Sequence, residues 1–148
     1  MLLETLNTLF IRDLNKLKKE IELYKNEANL WVVEGNIINS AGNLCLHLIG
    51  NLNTYIGAEL GKSGYVRYRE LEFSQKDIAR EELIHRIEET LIIVDATLSH
   101  LAEDSLQNEF PILVFDKKTS TEYLLVHLTT HLAYHLGQIN YHRRLLEG

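Results

Sequence analysis

Histidine carries the densest chemistry in this chain. Three of its seven histidines, His127, His131 and His135, recur every fourth residue in the stretch HLTTHLAYHLGQINYH. A helix turns about 100° per residue, so this spacing stacks the three imidazoles on one face, together with Leu124, Leu128 and Ile139. Thr129, Thr130, Ala133, Asn140 and Arg144 fall on the opposite side. The histidines therefore point toward a core. Burying a polar group without a partner costs roughly 1–3 kcal/mol, so several on one buried face call for a common explanation. One shared cation supplies it, because imidazoles at i and i+4 can both reach a metal from a single helical turn. The competing reading is an ordinary set of hydrogen-bonded or partly exposed bundle histidines.

Two ligands from one helix leave a metal site incomplete, and a third must come from elsewhere. The segment NLCLHLIGN offers His47. Leucine and isoleucine spread around most of that helix's circumference, which predicts burial on all sides and leaves His47 and Asn51 as polar groups in need of partners. Cys45, the single cysteine, lies two residues from His47 and projects elsewhere, so it is excluded as a ligand and read as a small buried hydrophobe. His85 and His100 have no partner at ligand spacing, and His142 is read either as an outer partner of the site or as polar surface near a fraying helix end. Leu132 follows His131, so the glutamate of an H-E-x-x-H protease is missing and peptide hydrolysis is disfavoured. No general base is identifiable, and the catalytic residues are unknown.

The elements that must hold these residues are helices. The chain has 148 residues and one proline, Pro111, with apolar residues repeating at intervals of three and four. Leu3, Leu6, Phe10, Leu14, Leu17, Ile21 and Tyr24 form one stripe of a first helix, opposed by Arg12, Lys16, Lys19 and Glu20. A second helix is predicted from about Ala41 to Leu60, opened by Asn39 or Ser40 and ended by Gly61 and Gly64. Residues 62–73 read as an ordered loop. Ser74 with Asp77 then resembles a capping box before a third helix with Leu83, Ile87, Leu91, Val94, Leu98 and Leu101 on its apolar face. Thr119 with Glu122 is the corresponding signal for the last helix, predicted to run to about Arg144. The expected fold is all-α, a four-helix bundle forming a single domain over residues 1–148.

Composition narrows the partners. A formal net charge of −6 repels phosphate backbones, which argues against nucleic acid. No apolar run reaches the roughly 20 residues that span a bilayer, and the first ten residues lack a basic leader pattern, so no membrane association and a cytoplasmic location are expected.

The whole arrangement resembles the DinB-like superfamily, also called DinB/YfiT-like, of four-helix-bundle metalloenzymes. The resemblance covers nearly the whole chain. It is carried most specifically by THLAYHLGQINYHRR, similar to the family's H-x-x-x-H-x-G-Q run, together with a histidine in the second helix. It implies that the metal ligands are His47, His131 and His135. His127, Gln138 and Asn51 are candidates for the surrounding shell. Many members carry a basic residue just after the last ligand, where this chain has Leu136. The implied cofactor is one divalent transition metal, with zinc first and nickel or iron as alternatives. A low-molecular-weight thiol is a further candidate, because relatives include thiol-dependent S-transferases and a thiol-dependent isomerase.

Three neutral nitrogens with no fourth protein donor leave a coordination position open, the pattern of catalytic zinc. The expected activity is thiol transfer to a small molecule or hydrolysis of one, with the loops around Tyr65 to Arg69 and Phe110 to Phe115 lining the pocket. The alternative is a non-catalytic, metal-stabilised dimerisation or stress-associated module. Ala133, Gly137 and Asn140 motivate it, since Ala133 and Gly137, one turn apart, leave a smooth back face on which a homodimer could form.

Overall fold

The computed structural model describes residues 1–148 and is all-helical. Helix α1 spans Leu2–Leu23, α2 Ala41–Leu52, α3 Arg69–Ser74, α4 Arg80–His100 and α5 Thr121–Glu147; 3₁₀ turns at Glu27–Trp31 and Glu103–Gln107 follow α1 and α4. Extended pairing is limited to one isolated bridge between Glu109 and Ser120. No helix is long and apolar enough to cross a membrane.

Periodicity explains the main packing. Every member of the first apolar stripe, from Leu3 to Tyr24, is buried. That stripe packs α1 against α4 and α5. On α4, Leu83, Ile87, Val94 and Leu98 are buried, while Leu91 and, just past the helix end, Leu101 pack against the same core from its margin. Helix α2 is the central element. All its residues from Ala41 to Leu52 are buried, and it touches α3, α4 and α5. Ser40 opens it, its hydroxyl accepting from the Asn43 amide at 3.2 Å.

Several local expectations change. The second helix is α-helical only to Leu52 and then widens into π turns over Asn53–Leu60. At that junction Asn53 Nδ2 donates to the Ile49 carbonyl at 2.9 Å and to Thr90 Oγ1 at 2.8 Å, so a side chain shares an acceptor of the regular helical ladder. Residues 62–73 are not loop throughout, because Arg69–Ser74 forms α3. So short a helix needs outside support. Asn43 Nδ2 provides it, donating to the carbonyls of Glu72 and Gln75 at 2.9 and 2.8 Å, which the helix end would otherwise leave unpaired. Ser74 therefore belongs to α3 and does not cap α4. Asp77 takes a positive φ of 58°, and α4 starts after Ala79 without a side-chain cap.

The cap of α5 is Ser120, one residue beyond Thr119, and its Oγ accepts from the Tyr123 amide at 3.1 Å. Thr119 instead offers its carbonyl to the Phe110 amide at 2.8 Å. The far end of α5 extends past Arg144 to Glu147, whose carboxylate accepts from the Lys25 and Asn26 amides at 2.7 and 3.0 Å and from Asn29 Nδ2 at 3.0 Å. Burial raises the Glu147 carboxyl, but these donors outweigh it and bring its pKa to about 2. His142 lies on the same anchored end and is buried. Its Nε2 faces the Val32 carbonyl at 2.8 Å and its Nδ1 the Tyr24 hydroxyl at 2.6 Å, so it ties α5 to the α1 exit and takes no part in the histidine site.

Candidate metal centre

Helix α2 supplies His47 from the middle of the core, and α5 supplies His131 and His135 from its inward face. The three side chains each place a ring nitrogen so that all three nitrogens lie within 4.8 Å of one another. His47 is buried, whereas His131 and His135 are half-buried. The rings meet edge to face, with the His131 and His135 centroids 4.6 Å apart at 90°.

Hydrogen bonds fix which nitrogens look inward. His47 Nδ1 lies 3.0 Å from Glu72 Oε1, and His135 Nδ1 lies 2.7 Å from Gln138 Oε1. Both partners are acceptors, so each Nδ1 carries the proton and donates it. The Nε2 lone pairs of His47 and His135 are thereby left for the centre. His47 Nε2 then stands 3.2 Å from His131 Nε2. His131 Nδ1 is buried without a hydrogen-bond partner.

The close nitrogen pair fits either a hydrogen bond from His131 Nε2–H to the bare His47 Nε2 or two ligands of one divalent ion. Two nitrogens bound at roughly 2.0–2.1 Å to one tetrahedral ion stand about 3.4 Å apart, close to the observed separation. Burial, reinforced by the neighbouring His135, His47, His127 and Arg67, pushes the His131 pKa down to about 4. Burial also lowers His135, against the opposing effect of Gln138. Both are neutral near pH 7, the protonation state a ligand requires.

Glu72 is the residue that sequence reasoning missed; Arg67 lies in the loop expected to line the pocket and does line the cavity beside His47 and His131. Glu72 is buried at the start of the carboxylate–imidazole contact, and Arg67 grips it with Nε to Oε2 at 2.8 Å and Nη2 to Oε1 at 3.0 Å. Burial raises the Glu72 carboxyl, but hydrogen bonds from His47 and Arg67 and the guanidinium charge hold it below the ordinary range. The only signal in the sequence was an acid between two apolar residues, Leu71 and Phe73, in a stretch with no clear period. Phe73 itself packs on the His47 ring at 4.9 Å.

The other candidates separate clearly. Gln138 touches His135 as described. His127 lies near His131, its ring roughly parallel at 6.3 Å, and is braced by Phe115 at 4.8 Å, but it is outside the three-nitrogen cluster. Asn51 is buried and makes no side-chain hydrogen bond, with Oδ1 sealed from solvent. It lines a cavity of about 290 Å³ beside His47 and His131, together with Arg67, Arg69 and Val114. Tyr65, expected near the site, instead lines a separate cavity of about 500 Å³ with Leu46 and Ile49. Cys45 is wholly buried and its thiol is pushed up to about 12, which removes it as a nucleophile. His85 and His100 are exposed, bonded only within their own helix to Glu89 and to the Ala96 carbonyl.

No curated protein matches the chain. A family model described as "Protein of unknown function (DUF1572)" matches residues 2–148, which takes in all five helices and every residue of the histidine site. The chain accordingly belongs to the DUF1572 family.

Proposed function

We propose that this chain is a DinB-like four-helix-bundle protein that binds one divalent transition metal, zinc first among the candidates, through His47, His131 and His135. The observation that carries the reading is the 3.2 Å approach of two Nε2 atoms, one of which has its proton committed to Glu72 on the opposite side of the ring. The resemblance of THLAYHLGQINYHRR to the superfamily run and the DUF1572 match are consistent with it.

Three neutral nitrogen donors leave room for water or a thiol, and bound zinc would lower the pKa of such a water to about 7 or deprotonate the thiol. The chain's own residues supply the rest. Glu72 and Gln138 orient two of the rings, and Arg67 holds Glu72 ionised. The reaction class this supports is transfer of a small thiol to, or hydrolysis of, a small molecule entering beside Asn51 and Arg69, in the cytoplasm. The test is metal analysis of untagged protein with His131→Ala as control. One ion per chain, lost in the variant, is the expected result; unchanged stoichiometry ends the proposal.

A second reading, a metal-stabilised homodimer without catalysis, has one observation in its favour. A Cβ at Gly137 would meet nothing within 4 Å, so the face around Ala133 and Gly137 is open to a neighbouring helix. Light scattering decides it, a monomeric mass being the adverse result.

A further inference from the structure

The cavity of about 500 Å³ that Tyr65 borders lies between α4 and residues 63–75, and none of the three clustered histidines lines it. It has the size of a small-molecule pocket. Its mouth is aromatic and apolar, because Tyr65, Tyr68 and Leu71 all border it and remain 38%, 66% and 49% exposed. Exposed apolar groups gathered at one opening mark a surface that something else covers. The arginines that stack on rings elsewhere in the chain cover Tyr55, Phe73 and Tyr141, so both tyrosine faces here are free of a cation.

Charge then selects the ligand. Three carboxylates border the cavity, those of Glu72, Glu82 and Glu89. Arg67 and His47 hold Glu72, and Arg86 pairs with Glu82 at 2.9 Å. Glu89 has no arginine or lysine partner; beside it, at 3.5 Å, is the exposed imidazole of His85, which carries charge only when protonated. One carboxylate is therefore left without a fixed counter-charge next to two open aromatic faces. A cation is attracted by both, by the carboxylate charge and by the negative faces of the rings, whereas an anion is repelled by both.

We propose that this second cavity binds an organic ammonium cation on a small apolar body, with Glu89 as the counter-charge, Tyr65 and Tyr68 facing the cation and Leu71 and Ile93 against the body. The site shares no residue with the three-nitrogen cluster, and the proposal stands whether or not that cluster holds a metal.

The test is an NMR titration of isotope-labelled, metal-loaded protein with benzyltrimethylammonium, whose quaternary nitrogen has no lone pair and so cannot ligate an ion. Benzyl alcohol is the uncharged control and benzoate the anionic one. Amide shifts that saturate and cluster at residues 63–75 and 86–93 are expected, with both controls at least about fivefold weaker. Glu89→Gln and Tyr65→Leu should each weaken the cation about fivefold, the loss of one partly exposed charge or ring contact. Both substitutions alter exposed side chains, and circular dichroism checks that the helices persist. His131→Ala should bind the cation as wild type does. The proposal is overturned by the absence of saturable binding, by equal binding of benzyl alcohol or benzoate, or by unchanged affinity in either Glu89→Gln or Tyr65→Leu. Loss of binding in a folded His131→Ala would place the cation at the histidines and overturn it as well.

Discussion

Gly50 and Glu72 occupy one space: a Cβ built on Gly50 would collide with the Glu72 carboxylate, which is why the acid can lie flat against α2 and reach His47 one turn away. The glycine is required for this approach and not for an unusual backbone angle, since it sits inside a regular helix. The Glu72 carboxylate cannot easily retreat, because Arg67 and His47 hold both its oxygens.

Gly50→Ala is therefore expected to displace Glu72 and free the His47 ring. Removing an outer partner of a metal-bound imidazole costs roughly 10- to 100-fold in metal affinity. Competition against a chromophoric zinc chelator should show that loss in Gly50→Ala and in Glu72→Ala alike. Wild-type affinity in both would mean that the carboxylate does not position the ligand.

His127 and His131 are one turn apart on the same helix face, yet only His131 belongs to the nitrogen cluster. His131→Ala should abolish stoichiometric metal binding, whereas His127→Ala should retain one ion per chain. Mass spectrometry under native conditions distinguishes the two, and equal loss in both would move the site toward His127.

The metal-free protein should lose stability in mild acid. The His131 pKa is about 4 in the fold against 6.5 for a free imidazole, with burial the main cause. Between these values the unfolded chain binds the proton that the folded chain refuses, so stability rises with pH across the window and is lost as pH falls through it. His135 is shifted in the same direction and adds to the effect. Thermal melts of chelator-treated protein between pH 7 and pH 4, compared with His131→Gln, check the sign; the variant should show a shallower slope.

The Tyr24–His142 pair predicts a purely structural phenotype. Tyr24→Phe removes the hydroxyl that lies 2.6 Å from His142 Nδ1 and leaves that nitrogen buried and unpaired, a cost of about 1–3 kcal/mol. Urea unfolding should register the loss while metal affinity stays at the wild-type value. A coupled fall in affinity would show that this end of α5 communicates with the site.

Periodicity made the helices legible. Stripes such as Leu3 to Tyr24 and Leu83 to Leu98 repeat at the helical interval, and burial of those faces follows from the hydrophobic effect whatever the exact partners. The i, i+4 spacing of His131 and His135 also puts two imidazoles on one helix face whatever packs against it. What the linear order could not specify is the contact between distant segments. His47 meets His131 across 84 positions, and Glu72 reaches His47 only because Asn43 pins a six-residue helix whose own residues would not sustain it. Helix caps moved by a residue or more for the same reason: Thr119 is held by its carbonyl accepting from the Phe110 amide, and Ser120 caps the helix. Local sequence thus set which faces are apolar and which residues could ligate. Tertiary packing decided which polar groups found partners, because burial makes each unpaired group costly and only the assembled core determines who is within reach.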